Sequence, residues 1–276
     1  MTWPFVGGPA WGLNQAFDDT NIRGTQITSS ATTNTKGSYT QLVASMPYEA
    51  CGLLISWVTT ATADVAIDIA VGSAGNENII IDNLLNNSRG ITTSVCSAYF
   101  PVSVASGARI SARCAATTGS TTAFVGVTAF KGGANVLAAS GKIVQLGTLS
   151  TSRGVQVAAS ASANTFGSWT QIAATAGFEI AGLLMGIGCN GSAAKSSTSM
   201  RWAVGVGAAA AEQTLYEFGD SIQGSVTVTP SMGYGLGFIP VRIGASQRVA
   251  VRLMNSAAVA TAANRTHDVL LYGIVA

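Results

Sequence analysis

The sequence predicts an all-β protein: two tandem jelly-roll-like antiparallel β-sandwich domains related by internal duplication. Three observations predict it. Short apolar segments alternate with polar residues at period two and are punctuated by Gly, Ser, Asn and Pro, the pattern of strands and turns. The hexapeptide Gly37-Ser-Tyr-Thr-Gln-Leu42 returns 130 residues later as Gly167-Ser-Trp-Thr-Gln-Ile172. No amphipathic helix of ordinary length occurs, the best short stretch being a weak one at 208–217.

The repeat extends on both sides of the hexapeptide. Arg23-Gly24 answers to Arg153-Gly154, and Glu49-Ala-Cys-Gly52-Leu53-Leu54 to Glu179-Ile-Ala-Gly182-Leu183-Leu184. Beyond Leu184 the spacing grows in steps. Glu77 aligns with Glu212, then Phe100-Pro101-Val102 with Ile239-Pro240-Val241, and Arg109 and Arg113 with Arg248 and Arg252. Steps at 189–199 and 219–236 place the insertions in loops, where a sandwich tolerates them.

In chain order, residues 1–22 form an N-terminal arm with no counterpart in the second half. Its Trp3 and Trp11 are expected to dock, on the chain itself or on a neighbour, because indole rings are costly to leave in water. Residues 23–130 form the first sandwich, with strands expected at 24–29, 38–44, 51–58, 64–71, 77–84, 97–104, 108–115 and 122–130. Eight short strands in so few residues imply a sandwich or barrel. Within 64–71, Val65, Ile67, Ile69 and Val71 share the core face, and Asp64 and Asp68 are read as solvated on the other. Residues 131–152 are an ordered connector with an apolar middle, Lys142-Ile-Val-Gln-Leu146, and room for one added strand. Residues 153–276 form the second sandwich.

Composition narrows the function. Only 9% of the 276 residues are charged, against a usual share of about 25%. A neutral, hydroxyl-rich surface is best explained if neighbouring subunits cover much of it, so self-association is expected. A net charge of +2, with no basic run, argues against nucleic acid as a partner. No apolar run is long enough for a membrane-spanning helix, and no membrane partner is expected. The start Met1-Thr-Trp-Pro-Phe lacks the basic head and apolar core of a secretory signal. Cys51, Cys96, Cys114 and Cys189 contain no CxxC pair and none is matched in the other half, so free thiols are expected rather than a disulfide frame or a metal site.

Five charged positions recur in both halves: Arg23/Arg153, Glu49/Glu179, Glu77/Glu212, Arg109/Arg248 and Arg113/Arg252. In a chain so poor in charge, these are candidate structural or interface residues, Glu–Arg pairs tying strands or copies together. A duplicated carboxylate–guanidinium site is the competing reading. No catalytic, cofactor or metal residues are assigned and no cofactor is expected. His267 is the only histidine, has no counterpart, and reads as a loop or strand-edge residue. Asp64 and Asp68 are the best local carboxylate pair for hydrolysis. Tyr39, Trp169 and Trp202 are the aromatics that could stack on a sugar.

The set formed by the Gly-Ser-Tyr/Trp-Thr-Gln hexapeptides, Glu49-x-x-Gly-Leu-Leu54, Asp68-Ile-Ala-Val-Gly72, Tyr99-Phe-Pro-Val102 and Arg109-Ile-Ser-Ala-Arg113 resembles β-sandwich structural proteins of tailed bacteriophages. The resemblance covers residues 23–130 and, more loosely, 153–276. It implies a non-enzymatic virion component of decoration, collar or fibre type, made in the host cytoplasm and found in the virion. Its partners would be other virion proteins and itself as a homo-oligomer, a trimer being one form. The alternative it leaves is a receptor- or carbohydrate-binding module of a tail or fibre, with a host-surface glycan as partner. Specific recognition is then expected in the parts that do not repeat: the arm and the loops 189–199 and 219–236.

Overall fold

Among the described residues of a computed structural model, seventeen strands and one short 3-10 turn make up the regular structure. The structure describes residues 10–13, 24–59, 63–86, 96–131, 142–147, 154–189, 198–222 and 239–276. Trp3, Arg23, Arg153, and residues 190–197 and 223–238, which include most of the expected loops 189–199 and 219–236, lie outside the described residues. So does most of the arm and of the connector.

In the first half the strands are β1 (Ala10–Gly12), β2 (Thr25–Thr28), β3 (Thr40–Val43), β4 (Ala50–Thr59), β5 (Val65–Val71), β6 (Asn78–Asn86), β7 (Cys96–Phe100), β8 (Ile110–Ala116) and β9 (Thr122–Lys131). One sheet runs β2-β9-β4-β7 and the other β3-β8-β5-β6, with every one of these neighbours antiparallel. Apart from the β5–β6 hairpin, successive strands therefore alternate between sheets, as in an eight-stranded jelly roll. The two inner faces meet in one core that includes Leu53, Ile55, Trp57, Ile67, Ile69, Phe100, Ile110 and Val125. Period-two alternation is what puts these side chains on one face.

Next come β10 (Ile143–Leu146), β11 (Val155–Ala158), β12 (Thr170–Ala173), β13 (Ile180–Cys189), β14 (Thr198–Val206), β15 (Gln213–Ile222), β16 (Val249–Asn255) and β17 (Thr266–Val275). Here β11-β17-β13 and β12-β16-β14-β15 reproduce the first-half order. The isolated bridge Leu183↔Ile239 stands where Leu53↔Phe100 stands in the first half. A second core gathers Leu183, Met185, Trp202, Val204, Val251, Leu253 and Leu271. The hexapeptide glycines are required by proximity. A Cβ on Gly37 would collide with the Thr28 carbonyl oxygen, and one on Gly167 with that of Ala158. Their N–H groups donate to Cys114 O and Leu253 O at 2.9 and 2.8 Å.

Several expectations need correction. The stretch 208–217 is a turn followed by β15, so strand pairing with β14 overrides its weak helical tendency. Asp64 and Asp68 are buried, at 0% and 1% exposure, not solvated. His267 lies in β17, between β11 and β13, and is 1% exposed with its ring edge-on to Trp202. Trp202 is itself fully buried and presents nothing to a sugar.

The two halves are stitched together by β10. It pairs antiparallel with β17 and parallel with β6 at Ile143↔Ile81. The sheet containing β6 in the first half and the sheet containing β17 in the second thus become one eight-stranded sheet. Leu184, Leu270, Tyr272 and Ile274, on the outer face of β13–β17, join the core of the first half. The Tyr272 hydroxyl donates to Asn83 O and accepts from Leu85 N–H, both at 2.9 Å.

The arm is not without a counterpart after all. β1 pairs with the end of β9 (Ala10↔Phe130, Gly12↔Thr128) as β10 pairs with the end of β17 (Ile143↔Ile274, Gln145↔Tyr272). Sequence comparison misses this because Ala10–Gly12 and Ile143–Gln145 share backbone position and no residue identity.

Candidate functional site

Three of the recurring pairs, Glu77/Glu212, Arg109/Arg248 and Arg113/Arg252, lie on the outer face of the β3-β8-β5-β6 sheet and of its counterpart β12-β16-β14-β15. Arg109, just before β8, donates from Nε to Gln41 Oε1 (3.1 Å) and from Nη1 to Gly72 O (3.2 Å) and Glu77 Oε1 (3.1 Å). Arg248 repeats each bond, to Gln171 Oε1 (2.8 Å), Gly207 O (3.4 Å) and Glu212 Oε1 (2.6 Å). One guanidinium thus ties two strands and the β5–β6 or β14–β15 turn together, which its planar fork of donors suits. Burial alone would raise the Glu77 carboxyl, but hydrogen bonds from backbone N–H groups and Arg109 outweigh it and hold it below the usual carboxylate range. Glu212 is held down in the same way, with Arg248 the leading partner.

Glu49 and Glu179 do not enter these pairs. Both are exposed, and Glu179 accepts from Ala245 N–H at 3.0 Å. Trp11 contributes backbone to β1, opposite Ala129.

The second recurring arginine marks where the halves diverge. Arg113 Nε lies 2.9 Å from Asp68 Oδ2, and its guanidinium sits 4.6 Å over the Tyr39 ring. Lys36 Nζ donates to Asp68 Oδ1 at 2.6 Å and to Ala66 O at 3.1 Å, while Asn83 N–H reaches the same Oδ1 at 3.1 Å. A bulge in β6, with Asn83 at φ 49°, turns Asp82 toward this cluster. Burial, then the Asp68 charge, pushes the Asp82 carboxyl up, and burial lowers the Lys36 ammonium despite its carboxylate neighbours.

In the second half Lys36, Tyr39 and Asp68 align with Phe166, Trp169 and Ala203. Arg252 now lies between two rings, 4.3 Å from the centroid of Phe166 and 4.4 Å from that of Trp169. The tight ion cluster gives way to an aromatic cradle around the same guanidinium, with Glu217 Oε1 3.9 Å from Arg252 Nη2. Gly205 makes room for it, since a Cβ there would come within 2.7 Å of the Trp169 ring. Tyr39, the smaller ring, goes with Ala70 at the aligned position.

Beside the Lys36 cluster lies an open groove of about 520 Å³ between β2 and β3. Gln26, Thr28, Ser29, Ser30, Lys36, Ser38 and Thr40 line it. Its chemistry is hydroxyl and amide hydrogen bonding beside one ammonium. Asp64 is not part of a carboxylate pair with Asp68: it sits at the far end of β5, where its backbone bonds Thr117. The carboxylates brought together are Asp68 and Asp82. Lys36 and Asp82 were not singled out from the sequence. The available signal was the joint loss of Lys36 and Asp68 in the second half.

No family model and no curated protein matches the sequence. Among solved structures, the chain is similar to PNGF-II (7% identity, TM-score 0.37, covering 92% of this chain). It spans 66% of that protein's length. It is also similar to the N-terminal CBM22-1-CBM22-2 tandem domain from Paenibacillus barcinonensis Xyn10C (9%, TM-score 0.24, 96% of this chain and 92% of that one). A third is Broad Bean Stain Virus (10%, TM-score 0.25, 94% of this chain and 92% of that one). These likenesses are too distant to carry an argument about function.

Proposed function

We propose that this protein is a non-enzymatic structural component of a bacteriophage particle, a capsid decoration or other accessory element acting through subunit interfaces. The observation that carries the reading is how the scarce charge is used. Arg109–Glu77–Gln41 and Arg248–Glu212–Gln171 are internal clamps, repeated bond for bond, that hold two copies of one scaffold in shape. What they leave outside is neutral and hydroxyl-rich, a surface suited to being covered. The motif set shared with phage sandwich proteins points the same way, and one module duplicated within the chain accounts for the matched pairings. Purified particles probed by mass spectrometry and antibody labelling test it. Stoichiometric presence of the chain supports the reading, and its absence from particles overturns it.

A glycan-binding module is the second reading, favoured by the hydroxyl-lined groove beside Lys36. Polar walls of this kind suit an uncharged, polyhydroxylated ligand. Glycan-array binding that is lost in Ser38→Trp, with the thermal melt unchanged, supports it. An array with no signal removes it.

A further inference from the structure

The junction inside the chain has two unmatched halves at its ends. In the first half, the edge strand β6 is covered by β10 and by the outer face of β13–β17, and Ile81 is 0% exposed. The strand aligned with β6 is β15, and the residue aligned with Ile81 is Tyr216, 39% exposed. Among the described residues β15 pairs only with β14, and no described strand lies along its outer edge. At the opposite end, β1 occupies on β9 the place that β10 occupies on β17. Among the described residues β1 pairs only with β9. Leu54 and Thr128, aligned with Leu184 and Tyr272, are half-buried on the outer face of β4–β9.

We propose that a second copy of this chain docks head to tail. The β15 edge of one copy lies parallel to β1 and against the outer β4–β9 face of the next, so that Tyr216 takes the place of Ile81 and Ala10 that of Ile143. The intrachain junction is the template: the equivalent strands β6, β10 and β17, in the same order, already form it once. Side-chain sizes are complementary. Within the chain the small partner is Ile81 and the large one Tyr272. Between chains the large one is Tyr216, stacked on Phe218 at 5.8 Å, and the small one Thr128. An edge strand left open is a template for pairing, and here the pairing partner is built into the same molecule. The contact is heterologous, so it repeats from copy to copy until a ring closes. This deepens the particle-component reading and rests on it only for its purpose, since the junction itself is read from the chain.

Sedimentation velocity on Tyr216→Lys, Thr128→Arg, their equimolar mixture and the wild type tests the junction. The wild type is expected to assemble and each variant to be monomeric. The mixture is expected to give a dimer and nothing larger, because each variant keeps one intact half. A wild type that stays monomeric, a variant that still assembles, or a mixture that stays monomeric overturns the proposal. Photo-crosslinking from p-benzoylphenylalanine at position 216, with isotopically heavy and light chains mixed, checks it without disturbing either half. Heavy–light crosslinks to residues 10–13 or 124–131 are expected, and crosslinks elsewhere overturn it. Presence on particles is scored separately. Assembly in solution without particle incorporation sinks the virion reading alone, and incorporation of an uncrosslinked monomer sinks the junction alone.

Discussion

Lys36 and Asp68 form a short ion pair, Nζ to Oδ1 at 2.6 Å, and the residues aligned with them, Phe166 and Ala203, have lost both charges together. The arginine that completes the cluster is kept in both halves. In one it pairs with a buried carboxylate at 2.9 Å beside one ring, in the other it is held by two aromatic rings with Glu217 Oε1 at 3.9 Å. The pair and its replacement are thus two solutions to seating one guanidinium on a sandwich face.

This relationship predicts strong coupling. Asp68→Ala alone removes the carboxylate that pairs with both Lys36 and Arg113, leaving Asp82 near Lys36, and is expected to cost about 3 kcal/mol, as for breaking a buried ion pair from one side. Adding Lys36→Phe, which transplants the second-half solution, is expected to recover about half of that loss. Urea denaturation of the two single variants and the double variant measures the coupling. Additive losses would show that the exchange is coincidental.

Acid sensitivity follows from the two clamps. Glu77 and Glu212 titrate below their ordinary value of 4.5 in the folded state, so the stability they contribute is present above that value and lost as pH falls through the depressed ones. Asp82, raised by burial, acts in the opposite direction. The variant Glu77→Gln/Glu212→Gln is therefore expected to be less stable than the wild type at neutral pH and to converge on it at an acid pH below the depressed values. Urea midpoints at both pH values check this. A gap that persists in acid would mean the two glutamates act through shape alone.

One hydroxyl adds two hydrogen bonds to the seam that β10 and the apolar face of β13–β17 form between the halves. Tyr272→Phe leaves Asn83 O and Leu85 N–H without their partner at a buried edge, at an expected cost of about 1–3 kcal/mol. Hydrogen exchange should show the extra opening at β6 and β10 first. Uniform loosening of both sandwiches would contradict the seam as the weak point.

Thiol chemistry distinguishes two cysteines. Burial pushes the Cys114 thiol up to about 12, whereas Cys51 is half-exposed beside Phe130 O. Iodoacetamide at mildly alkaline pH is expected to label Cys51 in the folded protein and Cys114 only after denaturation. Peptide mapping reads the order, and early labelling of Cys114 would mean that the β8 face opens readily.

Several parts of the structure were legible in the residues. The eight strands predicted for 23–130 all appear, because alternation at period two is a local signal that tertiary packing reinforces. The Arg109–Glu77 and Arg248–Glu212 clamps could be anticipated because the same charges recur in a chain with few of them. His267 and Trp202 were misjudged because exposure is not a local property: β17 has neighbours on both sides, and only the sheet order reveals it. Asp82 was missed because a one-residue bulge re-aims it, and register shifts leave no trace in hydrophobic pattern.

By itself, the sequence determined the strand content, the spacing of the repeat and the residues that hold each sandwich together, all of which depend on neighbours close along the chain or matched between halves. Tertiary structure alone decided how the halves join. A backbone strand at Ile143–Leu146 can bridge β6 and β17, and Ala10–Gly12 can take the matching place on β9, because ladder hydrogen bonds are made by peptide groups common to every residue but proline. Position in space, not side-chain identity, selects those partners.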